Sequence, residues 1–401
     1  MSLTAIIYFI LQWTTFYILY QSGKRMDNLV HMPNQEHKNK VFWKIAIVPI
    51  VAYAVFLGLR WGRDIDYNIY AERYEAINSI FAEESRSSPL FAYIVIISKA
   101  LGVSYPVFII LQCAFLMFSA LFFLRDYLGY LKWILPMLLV AFAANDNLIR
   151  YYLAQSFMFI GLYNYTHEKY KTFIIFSICA CLAHFGLTPF VMAIALSKYL
   201  NKTYLPRSLS VIIFAYALFF VNISEMRFLV VASSYILSLL GEPDLAMMGY
   251  LEGMDDIING TGESGTLIFE HSFTNKIKSL LTFVPLIMYG QDVVVKFKYG
   301  KYIYNLAVIC LIMGAVFGQA EILSRYIYSF NIFVVIALAA LISHWRVFGN
   351  HFQLFYSYLL FFLYCYALVT APFAREDYQM YFLWDSNGSI TNWAPYYKIM
   401  R

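Results

Sequence analysis

Apolar runs long enough to cross a bilayer recur along almost the whole chain, separated by short polar stretches rich in Lys, Arg, Tyr and Asn. A hydrocarbon core of about 30 Å takes ~20 helical residues, because backbone groups inside it must be satisfied within the segment. The pattern predicts spans over 2–20, 43–60, 104–124, 131–146, 148–165, 208–225, 274–290, 302–319, 326–344 and 353–371. Two further apolar stretches are ambiguous: 89–102 is short for a full crossing, and 172–198 is long but interrupted by Gly186 and Pro189. The expected fold is all-α, a polytopic integral membrane protein with about 10–13 transmembrane or re-entrant helices. One membrane domain covers 1–401, and 226–273 is its longest loop.

Composition agrees with that pattern. Of 401 residues, 61% are hydrophobic and 13% charged, against about 45–50% and about 25% in soluble domains. The 35 Tyr and 36 Phe fall often at the ends of apolar runs, where amphipathic rings suit the headgroup layer. Cys113, Cys179, Cys181, Cys310 and Cys365 are scattered through apolar runs without metal-ligand spacing and read as small buried hydrophobes. The net charge of +5 comes without a dense basic block, which argues for loops facing anionic lipid and against a nucleic-acid partner. No Walker A, GxSxG, HExxH or dinucleotide fingerprint occurs, so neither an ATP-driven pump nor a membrane metalloprotease is indicated. The first residues, Met1 to Ala5, carry no basic n-region and read as the start of a retained span.

Loop charges set the orientation. The 21–42 loop holds Lys24, Arg25, Lys38 and Lys40; 198–207 holds Lys198, Lys202 and Arg207; 291–301 holds Lys296, Lys298 and Lys301. These three are expected in the cytoplasm. The 226–273 loop, with Glu242, Asp244, Glu252, Asp255, Asp256, Glu263 and Glu270, is expected outside. Between them two arrangements compete. If 89–102 crosses fully and 172–198 is one span, then Arg125, Lys132, Lys169 and Lys171 face outward, against the charge rule. If 89–102 only dips in and 172–198 is a broken hairpin, every basic loop is inside and Arg150 and His184 both point to the outer face. The second arrangement is preferred.

Four polar stretches sit where charge is costly, and such residues tend to be paired or functional. Arg60-Trp-Gly-Arg63-Asp64-Ile-Asp66-Tyr67-Asn-Ile-Tyr70 follows the second span. It reads either as a snorkelling, self-paired helix end or as a site in which arginine binds phosphate and a carboxylate serves sugar hydroxyls. Asp64-Ile-Asp66 alone looks like a metal-holding DxD. Asn145-Asp146-Asn147-Leu-Ile-Arg150 places Asn145 or Asp146 as a helix cap and Arg150 in the first turn, where a cation opposes the helix dipole; an Asp146 ion pair is the bland alternative. His184, ahead of Gly186 and Pro189, stands at broken backbone of the kind that lines a cavity or is buried in protein, and its pKa suits acid–base work. Glu321 and Arg325 are four apart, so Arg325 is either a helical ion-pair partner or a further phosphate ligand.

These places, in this order, resemble the EpsG/Wzy family of bacterial exopolysaccharide and O-antigen polymerases. The resemblance rests on Arg60 with Asp66-Tyr67-Asn-Ile-Tyr70, on Arg150-Tyr151-Tyr-Leu-Ala154, on His184-Phe-Gly-Leu-Thr188 and on Arg325-Tyr326; Asp64, Ser88 and Tyr151 depart from the usual pattern. It implies a glycosyltransferase that joins undecaprenyl-diphosphate-linked repeat units on the outer side of the inner membrane. Asp66 or His184 would be the catalytic base, and Arg60, Arg150 and Arg325 the diphosphate ligands. Tyr67, Tyr70 and Asp64 would serve the sugar, with no metal or other cofactor. The bilayer, a flippase and a chain-length regulator are the partners it implies. An O-antigen-ligase-like transferase shares most of this chemistry; a lipid-linked glycan transporter would string its charges across the bilayer, and an acyltransferase would need a cytoplasmic acyl-donor entrance.

Overall fold

The computed structural model describes residues 3–58, 60–61, 65–79, 88–143, 148–221, 272–319, 321–370 and 381–382. They are almost entirely helical, as the apolar runs require. The helices are α1 (Leu3–Asp27), α2 (Gln35–Gly58), α3 (Ile65–Ala76), α4 (Pro89–Ala100), α5 (Tyr105–Leu124), α6 (Leu131–Ala141), α7 (Ile149–Thr166) and α8 (Tyr170–Ala183), followed by α9 (Thr188–Ala195), α10 (Ser197–Leu200) and α11 (Arg207–Phe220). Beyond them come α12 (Phe273–Val294), α13 (Gly300–Phe317), α14 (Glu321–Phe348), α15 (His351–Cys365) and α16 (Ala367–Thr370). A two-residue antiparallel pairing joins Arg60–Trp61 to Tyr381–Phe382. Among the described residues, five helical stretches are long and apolar enough to cross a membrane: Gln35–Gly58, Tyr105–Tyr127, Phe273–Val294, Gly300–Phe317 and Ile327–Phe348. Shorter apolar helices accompany them. Exposed apolar stripes at helical spacing, such as Ile47, Val48, Val51 and Val55 on α2 and Ile174, Ile175, Ile178 and Leu182 on α8, suit a hydrocarbon surround.

Helix ends differ from the apolar edges in an instructive way. α1 continues past residue 20 through Lys24 and Arg25, cations that favour a helix C-terminus. α2 begins well before residue 43, on a polar turn where Asn34 Oδ1 accepts from the His37 amide and Glu36 pairs with Lys40. The 172–198 stretch breaks at His184, whose extended backbone ends α8; a single turn, Phe185–Leu187, leads into α9 with Pro189 near its start, where a missing N–H costs nothing.

The chain forms two compact units, Met1–Val191 with Trp345–Arg401, and Met192–His344. In the first, α1 packs on α6 and α2, and α5 packs on α2 and α7. A side chain at Gly23 would put a Cβ 2.4 Å from the Leu131 carbonyl oxygen, so only glycine lets α1 come this close to α6. The Asp27 carboxylate completes the junction. It accepts from the amides of Gly129 at 2.8 Å, Leu131 at 2.9 Å and Lys132 at 3.1 Å, capping α6 from another helix. Asp27 lies beyond the apolar run 2–20; burial pushes its carboxyl up from the usual range, and the three amides pull it back.

This junction decides between the two arrangements of the middle region. It brings the 125–132 connection to the same end of the unit as the first basic loop. At that end Arg125 stacks over the Tyr163 ring at 3.9 Å, and Asp126 lies 3.6 Å from His167, so the α7–α8 connection is there too. Helix α4 has 12 residues, too few for a full crossing, and it is held against the α3 segment: Tyr70 meets Phe91 near its start, and Lys99 in the last turn donates to the Glu75 and Ile77 carbonyls. α7 has 18 residues, so Arg150 stands about 24 Å along the axis from Thr166. Arg150 is thus at the end of this unit opposite the basic loops, as the preferred arrangement expects.

In the second unit α11, α12 and α13 pack together. Arg207 donates to Gln291 at 2.9 Å and Asp292 at 3.0 Å, and Asn305 donates to the Thr203 carbonyl and accepts from the Leu205 amide. The 198–207 and 291–301 loops therefore share an end, in keeping with their common charge. At the other end Gln319 donates to the Val221 carbonyl, a few residues before Arg325. Residues 222–271, which hold most of the acidic 226–273 stretch, lie outside the described part.

Asp27→Ala strands three amides, and is expected to cost ~3 kcal/mol; Asp27→Asn, which keeps one acceptor oxygen, loses less. Gly23→Ala is expected to destabilise by ~1–3 kcal/mol through overpacking. Thermal melting in detergent checks all three, and unchanged midpoints for Asp27→Ala and Gly23→Ala would refute the junction.

Candidate functional site

The site is built on α3, α4 and the start of α7. Tyr70 and Tyr74 are one helical turn apart on α3 and both are buried. Tyr74 packs against Tyr105 and Phe108 and donates its hydroxyl proton to the Val103 carbonyl at 2.6 Å. Tyr70 meets Phe91 edge-on. These contacts lay α3 along α4 and fix where the Tyr70 hydroxyl ends up.

Arg150 reaches into that frame from the first turn of α7. Its Nε–H donates to the Tyr70 hydroxyl at 3.1 Å, one terminal N–H donates to Ser88 Oγ at 3.0 Å, and the guanidinium lies 5.5 Å from the Tyr70 ring centre. Ser88 is 1% exposed. It stands at the cap position of α4 without capping it, its hydroxyl turned to Arg150 instead. The cation therefore sits against its own helix dipole with its plane set by two hydroxyls and an aromatic face, an arrangement suited to holding an oxyanion bidentately. At α7 the cap position is Leu148, which offers no side-chain bond. The cap expected from Asn145 or Asp146 is corrected to that extent; residues 144–147 lie outside the described part.

His184 belongs to the same neighbourhood. Its ring meets Tyr151, the residue after Arg150, edge-on at 5.7 Å, and Tyr151 in turn packs on Tyr152. The 14 residues of α8 carry His184 about 21 Å from the α7–α8 connection, roughly level with Arg150. Gly186 makes room for the ring, since a Cβ there would lie 2.9 Å from His184 Nε2. Two of the four polar stretches thus converge through adjacent residues, 150 and 151, and a third joins them through Tyr70.

The other expected site residues are placed less closely. Asp66 and Tyr67 fall in the first turn of α3, Tyr70 one turn after Asp66, and the Arg60 backbone pairs with Phe382. Asp64 lies outside the described residues. Arg325, half-buried on the first turns of α14, belongs to the second unit, where neighbouring Ser324 donates to the Tyr328 hydroxyl. Among the described residues no group of three or more His, Cys, Asp or Glu side chains gathers as a metal site. Ser88, the Arg150 partner, is a candidate site residue that sequence reasoning does not nominate. Its Ser-Pro signature is that of an ordinary helix start.

No curated protein and no solved structure matches the chain. The family model described as EpsG family matches residues 43–384. That match takes in Arg60, Asp66, Tyr70, Arg150, His184 and Arg325 and well over half of the sequence, and the chain therefore belongs to the EpsG family.

Proposed function

We propose that the protein is a membrane glycan polymerase, a glycosyltransferase that joins undecaprenyl-diphosphate-linked oligosaccharide repeat units into a longer surface polysaccharide at the outer face of the bacterial inner membrane. Family membership supports the class of activity. The observation that carries the site is the Arg150 guanidinium, oriented by Tyr70 and Ser88 beside the Tyr151–His184 pair, at the end of its unit away from the basic loops. By the loop-charge rule that end is the outer one.

The chemistry follows from those groups. A hydroxyl of the incoming unit attacks the anomeric carbon of the growing chain. The new C–O bond forms as the bond to the lipid diphosphate breaks, and the electron pair leaves with that diphosphate. Arg150 stabilises the developing charge, with Arg60 as a further ligand. His184 or Asp66 takes the hydroxyl proton, and Tyr67, Tyr70 and Asp64 serve the sugars. This division of labour needs no metal. A flippase would deliver the lipid-linked unit, and a chain-length regulator would be a partner for the product. A ligase-like transferase uses the same leaving group; it differs in making one transfer where a polymerase makes a ladder. A transporter is the less suited reading, because Arg150 and His184 stand at one level of the unit.

Arg150→Ala is expected to reduce long-chain polysaccharide by roughly 100-fold or more, with Arg150→Lys recovering part of it as a point charge without the fork. His184→Ala and Asp66→Ala are each expected to lower it roughly 100-fold for whichever is the base. Ser88→Ala, which removes one charge-assisted bond, is expected to cost about tenfold. The readout is the polysaccharide ladder on a gel from cells carrying equal amounts of each variant. Normal ladders from Arg150→Ala, His184→Ala and Asp66→Ala together would sink the site assignment.

A further inference from the structure

The end of the first unit opposite Arg150 carries a second built feature. The close approach of Gly23 to Leu131 and Lys132 draws the end of α1 onto the start of α6, and Lys24 and Lys132 come with it. The last turn of α14 adds Arg346. Trp133 is the common neighbour: Lys132 Nζ is 5.6 Å and Arg346 Cζ 5.4 Å from its ring centre, and Arg346 also lies 5.2 Å from the Tyr358 ring. Lys24 and Arg346 both stand near enough to Lys132 to repel it electrostatically. Asp27 is the acid at this spot, and its oxygens are occupied by the amides of Gly129, Leu131 and Lys132. Three cations against one engaged carboxylate leave an excess of positive charge that the fold itself enforces.

The surroundings point to the kind of anion. Trp133 is 3% exposed and its indole N–H meets no acceptor among the described residues, while Tyr358 is half-exposed and Lys24 and Arg346 are exposed. An aromatic floor under basic side chains at a helix end marks headgroup depth, and basic pockets between transmembrane helices on the cytoplasmic side suit anionic lipid headgroups. We propose that Lys24, Lys132 and Arg346, gathered around Trp133, form a binding site for the phosphoryl headgroup of an anionic phospholipid. The headgroup phosphate neutralises the forced cluster, and its acyl chains lie along the exposed apolar side of α15, which carries Phe355, Tyr358 and Phe362. Bound there, the lipid ties α1, α6 and the end of α14 together at the face that carries the basic loops.

The test is native mass spectrometry of the full-length protein in detergent, titrated with phosphatidylglycerol, cardiolipin or phosphatidylcholine. Phosphatidylglycerol and cardiolipin are expected to stay bound where phosphatidylcholine is lost. Each surface cation contributes roughly fivefold to such binding. Lys24→Gln should therefore weaken phosphatidylglycerol roughly fivefold, and Lys24→Gln with Arg346→Gln roughly 30-fold. The exposed Lys24 is the change least able to disturb folding, and an unchanged melting midpoint for it isolates the lipid effect. A double change elsewhere on the same face, Lys38→Gln with Lys171→Gln, should leave binding within about twofold of the parent, as charges outside the cluster are screened. The proposal is overturned if phosphatidylcholine binds equally well, if the control pair weakens binding as much as the site pair, or if the site variants bind like the parent. Saturable binding of inorganic phosphate to lipid-free protein through the same three residues would overturn the lipid assignment in favour of a soluble anion.

Discussion

The first two backbone amides of α6, and that of Gly129 just before it, find their acceptor on another helix. A helix N-terminus leaves its first amides without intrahelical partners, and in a protein this apolar there is little water to serve them. Asp27 supplies two carboxylate oxygens to Gly129, Leu131 and Lys132, and Gly23 supplies the space for it to do so. The cost is a carboxylate partly removed from water. The return is a fixed relation between the first basic loop and the 125–132 connection. Together with the Arg125–Tyr163 and Asp126–His167 contacts, that relation puts Arg150 and His184 at the opposite end of the first unit.

The candidate site depends on it indirectly. With α5 and α7 anchored at the basic end through Arg125, Tyr163, Asp126 and His167, the start of α7 is carried to the far end, where α3 and α4 lie side by side. Tyr70 and Ser88 then meet Arg150, and the break at His184 brings a titratable ring to the next residue along. The chemistry proposed there needs a preorganised cation for a leaving diphosphate and a proton acceptor near it. The positions of Arg150 and His184 suit both roles without any residue being drawn from a soluble domain.

Much of this is legible in the amino-acid order alone. The apolar runs mark the helices well, because hydrocarbon tolerates little else, but they mark hydrocarbon depth and not helix ends. That is why α1 and α2 extend through polar turns that the runs do not include. The polar stretches at Arg150 and His184 stand out by their cost, and the loop charges favour the arrangement the Asp27 junction supports. Asp27 itself does not stand out: an acid in a basic loop that also holds Glu36 carries no periodic signal, and its partners are about a hundred residues away. Ser88 is hidden by looking like a normal helix cap. Arg325, which reads like a fellow ligand in sequence, lies in the second compact unit.

The central claim is that the first unit gathers its basic loops at one face and Arg150 at the other. It is tested most directly by labelling single cysteines in a cysteine-free version of the protein with a membrane-impermeant maleimide in intact cells. Cysteines at Asn28 and Glu168, both exposed at the basic end, should react only after the membrane is permeabilised, whereas cysteines at Ser104 and Asn147 should react from outside. Labelling of Ser104 or Asn147 on the same side as Asn28 would contradict the account.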